Sequence, residues 1–126
     1  MIVQRPFYRL IGLFVMEAAD GASLVRLEPT EDTANSRGEV HGGALATMLD
    51  AAVVNAARSV LPEGSGAATV NLSVNYLAPG LGTLTARGRV VRAGRSLVSA
   101  EASITDASGA VVAQAIGTLR AITPKA

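Results

Sequence analysis

The stretch from Gly42 to Leu61, GGALATMLDAAVVNAARSVL, limits what this chain can become more than any other. After its opening glycine pair it is rich in alanine and leucine, and no glycine or proline interrupts it before Pro62 and Gly64. That pattern predicts one helix with a defined stop. Few of its positions are charged, and most are small: Ala44, Ala46, Ala51, Ala52, Ala56 and Ala57. A helix that is apolar nearly all round must be covered on most sides. A single antiparallel sheet curled around it would do this, and small side chains would let helix and sheet approach closely.

The flanking segments supply strands for such a sheet. Residues 10 to 19 and 22 to 29 read as two strands joined by Asp20-Gly21, a hairpin signal. PTEDTANSRG, residues 29 to 38, is a polar loop of turn-forming residues. Beyond the helix, TVNLSVNYL, residues 69 to 77, alternates with period two. It predicts Val70, Leu72, Val74 and Tyr76 on one face and Thr69, Asn71, Ser73 and Asn75 on the other. Three further strands are expected near 82 to 92, 96 to 106 and 110 to 122, the last two joined by the turn Asp106 to Gly109. The order ββαββββ predicts an α+β fold rather than alternating parallel units. At 126 residues, the expectation is a single domain spanning 1–126.

Composition narrows the function classes. A net charge of +1 with 17% charged residues gives no electrostatic footprint for nucleic acid. The chain has no cysteine, hence no thiol nucleophile or thiolate metal site, and its single histidine makes a protein-only zinc site unexpected. No G-x-S-x-G motif is present. Arg5, Pro6 and Arg9 break the apolar N-terminus, so neither a signal-peptide core nor a membrane span is expected there. His41, Asp50, Asn55 and Arg58 argue against a lipid-embedded helix over the central run. The expectation is a cytoplasmic protein without membrane partners, metal or cofactor.

Asp50 is the anomaly in the helix. Its neighbours at three and four residues are Ala46, Thr47, Val53 and Val54, so the stripe around it is almost wholly apolar. Burying an unpartnered carboxylate costs on the order of several kcal/mol. Two readings follow: a structural aspartate bonded to backbone or a threonine, or a functional carboxylate. His41-Gly42-Gly43 sits where the helix begins, where unpaired backbone N–H groups and a partial positive charge face outward. Glycine there lets a substrate oxygen come close to the backbone, an arrangement suited to a developing oxyanion. A tight turn with an ordinary cap is the other explanation of the same three residues.

The spacing Asn35-x-x-Gly38-x-x-His41-Gly42-Gly43, with Asp50 nine residues after the histidine, resembles hotdog-fold acyl-CoA thioesterases of the PaaI-like (phenylacetyl-CoA thioesterase) type. TVNLSVNYLAPG, residues 69 to 80, is similar to the strand that follows the helix in that family. The resemblance covers nearly the whole chain. It implies a hotdog fold, with the sheet wrapped around one long helix, and hydrolysis of acyl-CoA or aryl-CoA to free acid and CoA. Asp50 would be the catalytic carboxylate, as nucleophile or general base. Gly42 would donate its N–H to the thioester oxygen, with Gly43 beside it, and Asn35 and His41 would orient the substrate. Thr69 falls where some relatives carry a water-positioning serine. Arg92, Gly94 and Arg95 resemble the basic segment that meets the nucleotide end of CoA, whereas Arg87 and Arg89 read as a solvated strand face.

Gly42 and Asp50 are eight residues apart, about 12 Å along a helix at 1.5 Å per residue. If both act on one carbonyl, one of them must come from a second copy of the helix. A two-fold homodimer with shared sites is therefore expected, and the family resemblance extends this to a dimer-of-dimers tetramer. Two other functions fit the same fold: a non-catalytic acyl-CoA-binding domain, and an enoyl-CoA hydratase or dehydratase.

Overall fold

The computed structural model describes residues 4–124, so Met1–Val3 and Lys125–Ala126, the ends of the expected 1–126 domain, lie outside the described residues. In chain order the elements are α1 (Pro6–Ile11), β1 (Leu13–Ala19), β2 (Ala22–Leu27), α2 (Gly42–Arg58), β3 (Gly66–Tyr76), β4 (Leu84–Ala93), β5 (Leu97–Thr105) and β6 (Val111–Ile122), with a single 3-10 turn at Glu31–Thr33. All strand pairs are antiparallel, in the order β1-β2-β4-β5-β6-β3. The chain leaves β2, runs through α2, and starts β3 at the far edge of the sheet. This is the hotdog arrangement that the family resemblance implied.

Local chemistry accounts for the hairpins. Asp20 and Gly21 both have positive φ, 53° and 83°, as a type I′ turn requires. In the β5–β6 turn, Asp106 Oδ1 accepts hydrogen bonds from Ser108 N, Ser108 Oγ and Ala110 N. The Ser108 hydroxyl is the chief cause that holds the Asp106 carboxyl below its ordinary value.

Three expectations shift. The first strand does not begin at residue 10, because Leu10 and Ile11 end a short helix. Pro6 starts that helix and Gly12 stops it in the left-handed conformation at φ 72°. The central helix ends at Arg58 rather than Leu61, and Val60 and Leu61 bond back to Ala57 and Arg58 as turns. The third shift lies in β3. A bulge at Val70 breaks the alternation, so Thr69 pairs with Leu119 while Asn71 pairs with Thr118. Thr69 therefore shares the helix-facing side with Leu72 and Val74, and Val70 is 53% exposed.

The core lies between α2 and the concave side of the sheet. Leu45, Met48, Leu49, Ala52 and Val53 of α2 meet Leu13, Val25, Leu84, Val98, Ile104, Val112 and Leu119. Close approach depends on the small residues. A Cβ on Gly88 would lie 2.4 Å from the Ala52 carbonyl oxygen and 2.5 Å from Ser23 Oγ. The Ser23 hydroxyl donates to that same carbonyl at 2.6 Å. Gly88→Ala should therefore push the helix off the sheet and break this bond. Its expected cost is at least about 1–3 kcal/mol, read as a lower midpoint in urea unfolding.

The wrap is incomplete. Gly43, Thr47, Asp50 and Val54, at helical spacing, form a stripe on α2 that the sheet leaves open. Asp50 is consequently half-buried rather than buried.

Candidate active site

Asp50 projects from the open stripe toward β3. There Thr69 Oγ1 donates to Asp50 Oδ1 at 2.6 Å, a charge-assisted bond. The bulge at Val70 is what turns the threonine toward the helix. Among the described residues nothing bonds Oδ2. The carboxylate is thus held by one oxygen and presents the other.

The start of α2 is prepared by the loop before it. Asn35 Oδ1 accepts from Arg37 N at 2.9 Å and Glu39 N at 3.1 Å, Gly38 turns the chain at φ 78°, and Ala34 bridges Val40. The Asn35 carbonyl oxygen therefore builds the turn, and its amide nitrogen is the group that can serve a ligand. His41 is the N-cap: its Nδ1 accepts from Gly43 N at 2.8 Å, and its carbonyl accepts from Ala44 and Leu45. Accepting at Nδ1 requires the imidazole to carry its proton on Nε2. The Gly43 donor is used up by this cap. Gly42 N, by contrast, has no partner among the described residues. Of the two glycines, Gly42 alone keeps its N–H for a ligand.

A cavity of about 440 Å³ opens at this helix start, bounded by Asn35, Gly42, Leu45, Tyr76 and Gly80. Tyr76 lies against Gly42, its Cε1 3.4 Å from where a Cβ would sit. The sequence marks Tyr76 only as a strand residue, and no local signal ties it to Gly42. That pairing arises because β3 runs antiparallel to α2, bringing Thr69 to Asp50 and Tyr76 to Gly42.

One chain brings Asn35, His41, Gly42 and Gly43 together at the start of α2, and Asp50 with Thr69 two turns further on. It does not bring the basic hairpin to the start of α2. Arg92, Gly94 and Arg95 are exposed where β4 turns into β5. Leu97 pairs with Arg120, and Arg120 with Ala68, which sets this hairpin at the end of the sheet where β3 begins. Ala68 lies eight residues from Tyr76 along β3, about 26 Å at 3.3 Å per residue. Arg120 is exposed at the same end. Sequence reasoning missed it because only the strand pairing carries it there.

The sequence profile of the thioesterase superfamily matches residues 37–113, which include His41, Gly42, Asp50 and Thr69. The chain belongs to this superfamily. A Halobacterium salinarum protein provisionally described as an esterase is 39% identical over 99 residues, 75% of this chain and 66% of that protein. The chain thus spans about two thirds of that relative's length. Human acyl-coenzyme A thioesterase 13 is 27% identical over 118 residues, covering 90% of this chain and 84% of the human protein. The structure of a Bacillus halodurans protein solved with CoA is 29% identical, with a TM-score of 0.87, covering 97% of this chain and 82% of that one. Thioester hydrolysis is the general chemistry this thioesterase fold carries, and no helix among the described residues is long and apolar enough to cross a membrane.

Proposed function

We propose that this thioesterase hydrolyses acyl-CoA or aryl-CoA thioesters to the free acid and CoA. The observation that carries the reading is the pairing of an oriented carboxylate with an unused helix-start amide. Asp50 is held by Thr69 through one oxygen, and Gly42 N–H is left free by the His41 cap. The relatives that act on or hold CoA support the substrate class.

In this reading the thioester carbonyl accepts the Gly42 N–H, aided by the positive end of the α2 dipole. Asp50 Oδ2 either attacks the carbonyl carbon or takes a proton from a water that attacks it. The oxyanion that forms strengthens the Gly42 bond. Its collapse expels CoA thiolate, and the acid leaves after hydrolysis or directly. Asn35, through its amide nitrogen, and the His41 ring orient the thioester. Arg92 and Arg95 meet the phosphates of CoA.

The separation of Gly42 from Asp50, about 12 Å along one helix, supports a two-fold dimer in which each site takes the two groups from different chains. The geometry of β3 favours such a dimer. It is an edge strand with one side unpaired, and Tyr76 and Leu77, both 55% exposed, border the open stripe of α2. A second copy laid antiparallel along this edge and stripe would cover both and build two sites. Pairing of two such dimers into a tetramer belongs to the same proposal.

The direct test is a panel of acyl-CoA and aryl-CoA esters followed by release of free thiol. Turnover of at least one ester is expected, and none across the panel would leave CoA-thioester hydrolysis without support. Enoyl-CoA hydration without thiol release would favour the hydratase reading instead. For an active ester, Thr69→Val should lower kcat about tenfold with little change in KM, because one hydrogen bond to a charged group is lost. Thr69→Ser should restore most of it.

A further inference from the structure

The proposed chemistry leaves α1 without a role. None of its six residues is fully buried: Tyr8 and Ile11 pack against the edge of the core, while Phe7 and Leu10 are 57% and 70% exposed. Its position is nevertheless set at both ends. Pro6 begins it, and Gly12 ends it in a left-handed turn whose carbonyl accepts from Glu28 N at 2.9 Å. That anchorage lays α1 beside the stripe of α2 that the sheet leaves open.

Between the two helices lies a cavity of about 160 Å³, bounded by Phe7 and Ile11 of α1, by Gly43, Ala44 and Thr47 of α2, and on its polar side by Asp32, Thr33 and His41. It is separate from the cavity at Tyr76, on the other flank of the helix start. Its size is that of a small hydrocarbon: apolar cavities of roughly 150 Å³ hold a benzene molecule. One turn further along α2, the half-buried Tyr8 stands near enough to Asp50 for the carboxylate charge to act on its phenol. Burial chiefly raises the phenol above its ordinary value, and that charge adds to it. Tyr8 thus stays protonated beside the carboxylate, as a neutral neighbour.

We propose that α1 is the wall that limits the acyl group, with Phe7 and Ile11 closing the far end of an acyl pocket that runs along the open stripe of α2 from Asp50 toward Gly43. This rests on the reading that Asp50 acts on a CoA thioester. It adds that specificity for acyl length is set by a helix lying outside the sheet-and-helix core. The pocket has room for about six carbons beyond the carbonyl, and a longer chain must displace Phe7.

The test compares wild type, Phe7→Ala and Phe7→Trp by two readouts. The first is kcat/KM over straight-chain acyl-CoA esters from acetyl to dodecanoyl. The second is the affinity for S-alkyl-CoA thioethers of the same lengths, which cannot be hydrolysed and report the pocket whether or not the protein is a catalyst. Both wild-type profiles should fall beyond about six carbons. Phe7→Ala should move the fall by two or more carbons and strengthen octyl-CoA binding about tenfold relative to butyl-CoA, the worth of roughly two buried methylenes. Phe7→Trp should move it the other way. Phe7 is exposed and outside the core, so circular dichroism should show both variants folded. Unchanged length profiles in folded variants would overturn the wall. A moved thioether profile with no turnover of any ester would keep the wall and remove the hydrolytic reading.

Discussion

Asp50→Asn should lower kcat for any accepted CoA ester by at least about 10²-fold, the scale of a lost general base or nucleophile. The amide is nearly the same shape and can still accept from Thr69 Oγ1 through its own oxygen, so the bond that now orients Asp50 survives. Position is kept and basicity is lost. Unfolding midpoint and oligomer size should therefore stay close to wild type, the more so because Asp50 is only half-buried. Retention of near-normal kcat by a folded Asp50→Asn protein would falsify the catalytic assignment and make the carboxylate a structural partner of Thr69.

The second large effect comes from mixing two dead proteins. Gly42→Pro removes the one N–H at the start of α2 that is free of a partner, at a first helical position where proline suits the backbone. Asp50→Asn removes the carboxylate. Each homodimer should be inactive. In a mixed dimer one site inherits both defects and the other inherits neither, if every site joins Gly42 of one chain to Asp50 of its partner. Refolding equal amounts together gives about half mixed dimers by random pairing, each with one intact site of two. Activity should return to roughly a quarter of wild type. No recovery, with mixed dimers confirmed by native mass spectrometry, would place both groups within one subunit.

Much of this architecture is legible because it rests on local rules. Asp20-Gly21 and Asp106-x-x-Gly109 announce their turns through backbone conformations that few other residues adopt. The alanine-rich run declares a helix that must be wrapped, and the wrapping is found. What escaped the sequence depends on partners elsewhere in the chain. The bulge at Val70 is a property of the β3–β6 pairing, so simple alternation put Thr69 on the face opposite Leu72. The half-exposure of Asp50 depends on how far the sheet curls, which no stretch of α2 encodes. Helix α1 is six residues long, too short for a hydrophobic period to show, although Pro6 and Gly12 mark its two ends. The turn that Asn35 builds through Oδ1 is not visible in the sequence, because it depends on where Arg37 and Glu39 present their backbone N–H groups.

The bulge in β3 also bears on what the open edge of the sheet can pair with. An open sheet edge is a row of unspent amides and carbonyls that will template any extended chain. Here Val70 splits that row into a stretch of regular pairing from Gly66 to Thr69 and another from Asn71 to Tyr76. The first, four residues long, is shorter than the six or seven that stacked fibrillar segments need, and the second, at six, only reaches that length. A stray strand finds its hydrogen bonds out of step after a few residues, whereas an identical β3 approaching about a two-fold axis meets the interruption at a matching place. The same kink that aims a threonine at a carboxylate thus interrupts the edge on which a foreign strand would extend the sheet.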